Sequence, residues 1–162
     1  MRTLLGVTLA VMLSLVFAAP ANAGSWVEHK SDKYPVSIHL WSTIDVQQKE
    51  WANGWGGLKA KNHGLEIFAM VNKGKIKAAD VQKLGVKITG VAAKDWNLTD
   101  KQRAGFKNYQ VGTLTKGEQQ YIVAWGQTAK GATMLFIVKS NAADLAKHER
   151  SYRNVLRRLK VG

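Results

Sequence analysis

The 162-residue chain contains no cysteine. Disulfides, thiolate metal sites, cysteine nucleophiles and lipid attachment at a processed cysteine are thereby excluded. Acidic residues are scarce, with 11 Asp and Glu against 24 Lys and Arg. They stand mostly alone beside lysines, as Asp95 does after Lys94. That spacing suits ion-paired surface positions better than the paired carboxylates of a glycosidase. Proline is rare, and no internal repeat, low-complexity tract or linker interrupts the chain. The long apolar run is Leu4–Ala18, shorter than the ~20 residues of a membrane span.

That run reads as part of a leader. Met1-Arg2-Thr3 is a short basic start, and Ala21-Asn22-Ala23 after Pro20 has the A-x-A form of a signal-peptidase site. Residues 1–23 are therefore expected to be a cleavable signal peptide and 24–162 a single globular domain. The periplasm is the simplest destination, with secretion beyond it open. No other window is apolar enough to span a bilayer. An exported domain without disulfides holds itself together by packing.

The formal net charge is +13. Such an imbalance favours an acidic protein, phosphate-bearing lipid or nucleic acid as partner, and it also serves solubility. Nucleic acid ranks last, because no aromatic-plus-basic RNA-binding signature is present and an exported protein rarely meets it.

The elements are organised around Glu118–Lys160. Two strands, Glu118–Thr128 and Ala132–Ser140, flank a short turn at Ala129-Lys130-Gly131. A helix from Ala142 to about Lys160 follows, with Leu145, Tyr152, Val155, Leu156 and Leu159 on one face and Asn141 as its N-cap. Upstream, Trp26–His29 and Tyr34–Trp41 read as strands, the second with Val36, Ile38 and Leu40 on one side. Ser42–Trp55 is ambiguous: Ile44, Val46, Trp51 and Trp55 can form a short amphipathic helix that stops at Gly54, Gly56 and Gly57. Leu58–Lys61 alternates as a strand, and Asn62-His63-Gly64 is a turn. Leu65–Asn72 is apolar on both faces, as a central, covered strand should be. Ala78–Leu84 reads as a helix ended by Gly85, Val86–Val91 as a further strand, and Thr99–Gln102 as one capped helical turn. Phe106–Leu114 is the strand before the closing hairpin. Short hairpin loops imply antiparallel pairing, and doubly apolar strands need cover on both faces. The expected class is α/β (α+β), an antiparallel sheet flanked by helices as an α/β/α sandwich.

With these elements in order, the chain resembles the PsbP-like family of exported photosystem-associated proteins and their bacterial relatives. Tyr34–Trp41 resembles the family's opening strand and its following Trp, Gly64–Ile67 its central strand, Glu118–Ser140 its closing hairpin and Tyr152–Leu159 its last helix. Where the family carries a Pro shortly before that Trp, Leu40 directly precedes Trp41. The resemblance implies the sandwich. It names no function, since family members bind partners as different as photosystem subunits and small GTPases.

Catalytic and metal chemistry find little foothold. The four histidines, His29, His39, His63 and His148, lack zincin spacing and a carboxylate-rich companion loop. No G-x-S-x-G elbow is present. Gly54-x-Gly56-Gly57 lacks the Lys-Ser/Thr of a phosphate loop, so neither metal nor cofactor is expected. An enzyme, with His39 or His63 as general base, is the weakest reading. Surface chemistry is the stronger lead. Lys147, Arg150, Arg153, Arg157 and Arg158 make the last helix basic, with Lys160 beyond them, and Lys73, Lys75 and Lys77 form a second cluster. Of six tryptophans, Trp51 and Trp55 lie beside glycines; core packing is the favoured reading for them, and lining a groove or meeting a partner is the alternative. The sequence therefore reads as a non-catalytic exported binding or accessory protein. Its basic helix or Trp/Gly segment would engage an acidic protein or an anionic envelope component. A periplasmic immunity or inhibitor protein and a lipid or small-ligand carrier are the alternatives.

Overall fold

The computed structural model describes residues 25–162, so the expected leader and its cleavage site lie outside the described residues. The chain runs β1 (Trp26–Lys30), β2 (Val36–Trp41), β3 (Asp45–Glu50), β4 (Trp55–Asn62), β5 (Leu65–Asn72), α1 (Ala78–Thr89) and a 3₁₀ turn at Ala93–Asp95. It continues through β6 (Thr99–Asp100), β7 (Phe106–Lys116), β8 (Gln119–Thr128), β9 (Thr133–Asn141), α2 (Ala142–Arg158) and β10 (Lys160–Val161). A seven-stranded antiparallel sheet has the order β3-β4-β5-β9-β8-β7-β6. A second, three-stranded sheet has the order β1-β2-β10. Among the described residues no helix is long and apolar enough to cross a membrane.

The large sheet separates two apolar layers, and side-chain alternation decides which residue enters which. Ile67, Ala69 and Val71 of β5 face the layer closed by α2 and β2. Phe68 and Met70 face the layer closed by α1. In the first layer Phe136 is fully buried, and its register partners across β5 and β8 are Ala69 and Ala124. A large ring flanked by two methyl side chains fills the layer without crowding. Each strand at the centre of this sheet is thus doubly covered, as the sequence of β5 anticipates.

Five expectations are corrected. Ser42–Trp55 contains no helix. β3 is an exposed edge strand paired with β4, and its charged sequence suits an edge that must not recruit another strand. Trp51 and Trp55 therefore face each other across a turn, with the Trp51 N–H donating to the Trp55 carbonyl at 2.7 Å. Gly85 does not end α1. The helix runs on to Thr89 and stops at Gly90, whose φ of 69° is the left-handed conformation a terminating glycine supplies. Val86–Val91 is accordingly no strand; its β-branched residues mimic one, while Val81, Gly85 and Thr89 keep the helical buried stripe. Thr99–Asp100 is a short strand on β7 rather than a capped turn. Finally, α2 ends at Arg158, and Lys160–Val161 pairs with β2, a small sheet that pattern alone did not reveal.

Candidate basic docking surface

α2 is built as its sequence requires. The Asn141 side chain accepts the Asp144 N–H at 2.8 Å and so satisfies one orphan donor of the first turn. Leu145, Tyr152, Val155 and Leu156 enter the core, and the helix packs on β2, β8 and β9. The opposite face is left to water. Lys147, Arg150, Arg157 and Arg158 are exposed there and form no ion pair among the described residues. Arg153 is half-buried and tied to Glu149 at 2.6 Å.

The small sheet extends this face. Arg158 lies over the Trp26 ring at 5.3 Å, Trp26 meets Trp41 at 5.1 Å, and Trp41 meets Tyr152 edge-on at 6.2 Å. Trp26 and Val27 are the exposed large apolar residues among the described residues, at 38% and 39%. The tryptophans that share a surface with the basic helix are therefore Trp26 and Trp41. Sequence reading passed over both, because only strand pairing across β1 and β2 sets Trp26 opposite Trp41. Glu28 anchors the same sheet. A hydrogen bond from the Ser37 hydroxyl at 2.9 Å, then one from Lys160 at 3.1 Å, hold its carboxyl well below the ordinary range, at about 2.

The structure does not bring the candidate residues into one site. Trp51 and Trp55 lie in the α1 layer, across the large sheet from α2. Trp55 is buried, at 3% exposure. With Trp51, Ile76, Leu84 and Ile88 it lines a groove of ≈ 680 Å³, with Lys83 and Lys87 also at the wall. The Trp96 and Trp125 indole N–H groups donate to the Val91 carbonyl and the Gln110 amide oxygen; those of Trp51 and Trp55 make no such bond among the described residues. The second basic cluster lies between β5 and α1, with the Lys73 ammonium over Tyr34 at 5.6 Å.

Of the histidines, His29 lies on β1 and His39 on β2. His39 sits opposite Glu28, whose carboxylate is engaged by Ser37 and Lys160, and the His39 Nδ1 is buried without a partner. His29 Nε2 is likewise unpartnered, and His63 occupies an exposed turn. Among the described residues no three His, Asp or Glu side chains gather as metal ligands.

No family model matches the chain, and no curated protein matches it. Among solved structures it is similar to the solution structure of cyanobacterial PsbP (CyanoP) from Synechocystis sp. PCC 6803, with a TM-score of 0.62 over 91% of this chain and 99% of that one, at 12% identity. The fold is PsbP-like. The resemblance carried by Tyr34–Trp41, the central strand, the closing hairpin and the last helix thus holds at the level of architecture. In this PsbP-like sandwich the basic face of α2 and the Trp26–Trp41 platform lie on one side of the large sheet, and the apolar groove lies on the other.

Proposed function

We propose that this chain is a non-catalytic accessory protein, exported to the periplasm by its leader, that docks on an anionic partner through the outward face of α2. The partner is an acidic protein or an anionic envelope component. The observation that carries this reading is the row Lys147, Arg150, Arg157 and Arg158, which is exposed and free of ion pairs among the described residues. Paired surface charges would be self-neutralised, whereas unpaired ones steer and hold a partner of opposite sign. The adjoining Trp26–Trp41 platform supplies the aromatic area that charge alone lacks.

The test is retention of the purified protein on envelope extract at low and high salt. Retention should fall steeply with salt. Changing Arg150, Arg157 and Arg158 together to Gln should weaken it about tenfold at low salt without lowering the unfolding midpoint. Unchanged retention at low salt would overturn the reading. Protease-treated and lipid-depleted extracts separate a protein partner from a lipid one. An immunity or inhibitor role would show as a single stoichiometric protein.

A second reading, a small-ligand or lipid carrier, is favoured by the groove. Its ≈ 680 Å³ lies within the usual range of ligand sites, and its walls are mainly apolar. A ligand seated there would shift Trp fluorescence, and Leu84→Trp, which fills the groove, would abolish that shift. An unchanged shift in Leu84→Trp would count against it.

A further inference from the structure

Beside the exposed row, at the end of α2, lies a concavity of ≈ 290 Å³ lined by Gln102, Arg103, Tyr109, Arg153 and Arg157 among others. Three arginines line it, and no lining residue is acidic. Arg103 is already fixed. Its Nη2 donates to the Leu159 carbonyl at 2.6 Å, its Nη1 reaches the Tyr109 hydroxyl at 3.4 Å, and its guanidinium lies over Phe106 and Tyr109 at 5.1 and 5.3 Å. An arginine held this way loses little further freedom when it grips a ligand. Arg153 is steadied by Glu149, and Arg157 has no ion pair among the described residues.

Charge selects the ligand. Three guanidiniums against the single carboxylate of Glu149 leave two uncompensated positive charges at one small hollow. A carboxylate brings one charge and two oxygens. A phosphomonoester brings about −1.5 to −2 at neutral pH and three strong acceptor oxygens, which suit several guanidinium forks at once. We propose that this concavity binds the phosphoryl group of a phosphomonoester. The proposal rests on the docking reading and deepens it: the phosphoryl group is the part of the anionic partner that the end of α2 grips.

The test uses the exported chain in titrations with inorganic phosphate, and in flotation with vesicles containing phosphatidic acid, a monoester, or phosphatidylglycerol, a singly charged diester. Phosphate binding should be tighter at pH 7.5 than at pH 5, because inorganic phosphate is singly charged at the lower pH and largely doubly charged at the higher. Arg157→Gln should cost about tenfold in phosphate affinity with an unchanged unfolding midpoint. Arg103→Lys keeps the charge but not the fork, and should also weaken binding. Soluble phosphate binding without vesicle binding supports the pocket and assigns a soluble phosphomonoester as the source. Equal binding of both lipids, with phosphate indifferent to Arg157→Gln, overturns it. If the pocket fails in this way while Arg150→Gln and Arg158→Gln still lower envelope retention, the docking reading survives alone. If those variants leave retention intact, that reading falls separately.

Discussion

Gly85 sits inside α1 because Trp96 needs the room. A β-carbon at that position would collide with the Trp96 six-membered ring, which is anchored by its indole bond to Val91. Alanine normally favours a helix over glycine by up to about 1 kcal/mol, but overpacking against a fixed ring costs about 1–3 kcal/mol. Gly85→Ala is therefore expected to destabilise the protein by about 1–2 kcal/mol in urea unfolding; a stabilised variant would contradict the packing argument. Glu28 makes a second prediction at this scale. Its carboxyl is depressed to about 2 in the folded protein from an ordinary 4.5, chiefly by the Ser37 hydroxyl and then by Lys160. A depressed carboxyl stabilises the fold above its unfolded pKa and loses that contribution as pH falls through the folded one. Stability should thus decline between about pH 5 and pH 2, and Glu28→Gln should flatten that decline. Equal slopes of midpoint against pH for the two proteins would refute the assignment. Glu66 differs: burial pushes its carboxyl up, but Lys59 and Lys139 on the flanking strands, at 2.7 and 3.2 Å, pull it down on balance.

Among the elements, α2 joins core to surface. Its apolar stripe closes one layer, its basic face is the candidate docking surface, the Leu159 N–H that follows it meets the Val155 and Leu156 carbonyls, and Arg103 donates to the Leu159 carbonyl. The Asn141 cap fixes where the helix leaves β9, so Asn141→Ala should cost about 1 kcal/mol, read as a lower urea midpoint. No change would mean that Asp144 caps the helix unaided. α1 carries the opposite lesson. Its lead-in is pinned by side chains from distant strands: the Thr133 hydroxyl accepts the Ile76 N–H, and Gln127 donates to the Ile76 carbonyl. At its far end Tyr121 donates to the Thr89 carbonyl at 3.0 Å. Those contacts hold Val86 and Ile88 in a helix that their local preference opposes.

At the scale of the whole molecule, charge and packing are separated. Among the described residues most apolar side chains are sealed in two layers, and the 24 basic residues of the sequence outnumber its 11 acidic ones, which favours a strongly positive exterior. Such a surface repels itself, and salt screens the repulsion. The thermal midpoint should accordingly rise as ionic strength increases from ~10 mM to physiological values, where the Debye length shrinks from about 30 to about 8 Å. A falling midpoint would show that ion pairs such as Lys59–Glu66 outweigh the net repulsion. The same screening should weaken docking, so stability and partner retention should respond to salt with opposite signs.

Residues whose role is set by near neighbours were readable in the chain itself. The double burial of Leu65–Asn72, the closing hairpin, the Asn141 cap and the exposed basic row of α2 all follow from alternation and helical spacing, periods that the backbone imposes locally. Residues whose role is set by distant partners were not. Gly85 waits on Trp96, Trp26 on Trp41, Lys160–Val161 on β2, and Arg103 on Leu159, the last two 56 positions apart in the chain. The sequence by itself determined which faces are apolar and that the charge points outward. Only the tertiary structure decided that Trp51 and Trp55 lie across the sheet from the arginines, and that Arg103 joins Arg153 and Arg157 around one hollow, because contacts between remote segments exist only once the sheet has closed.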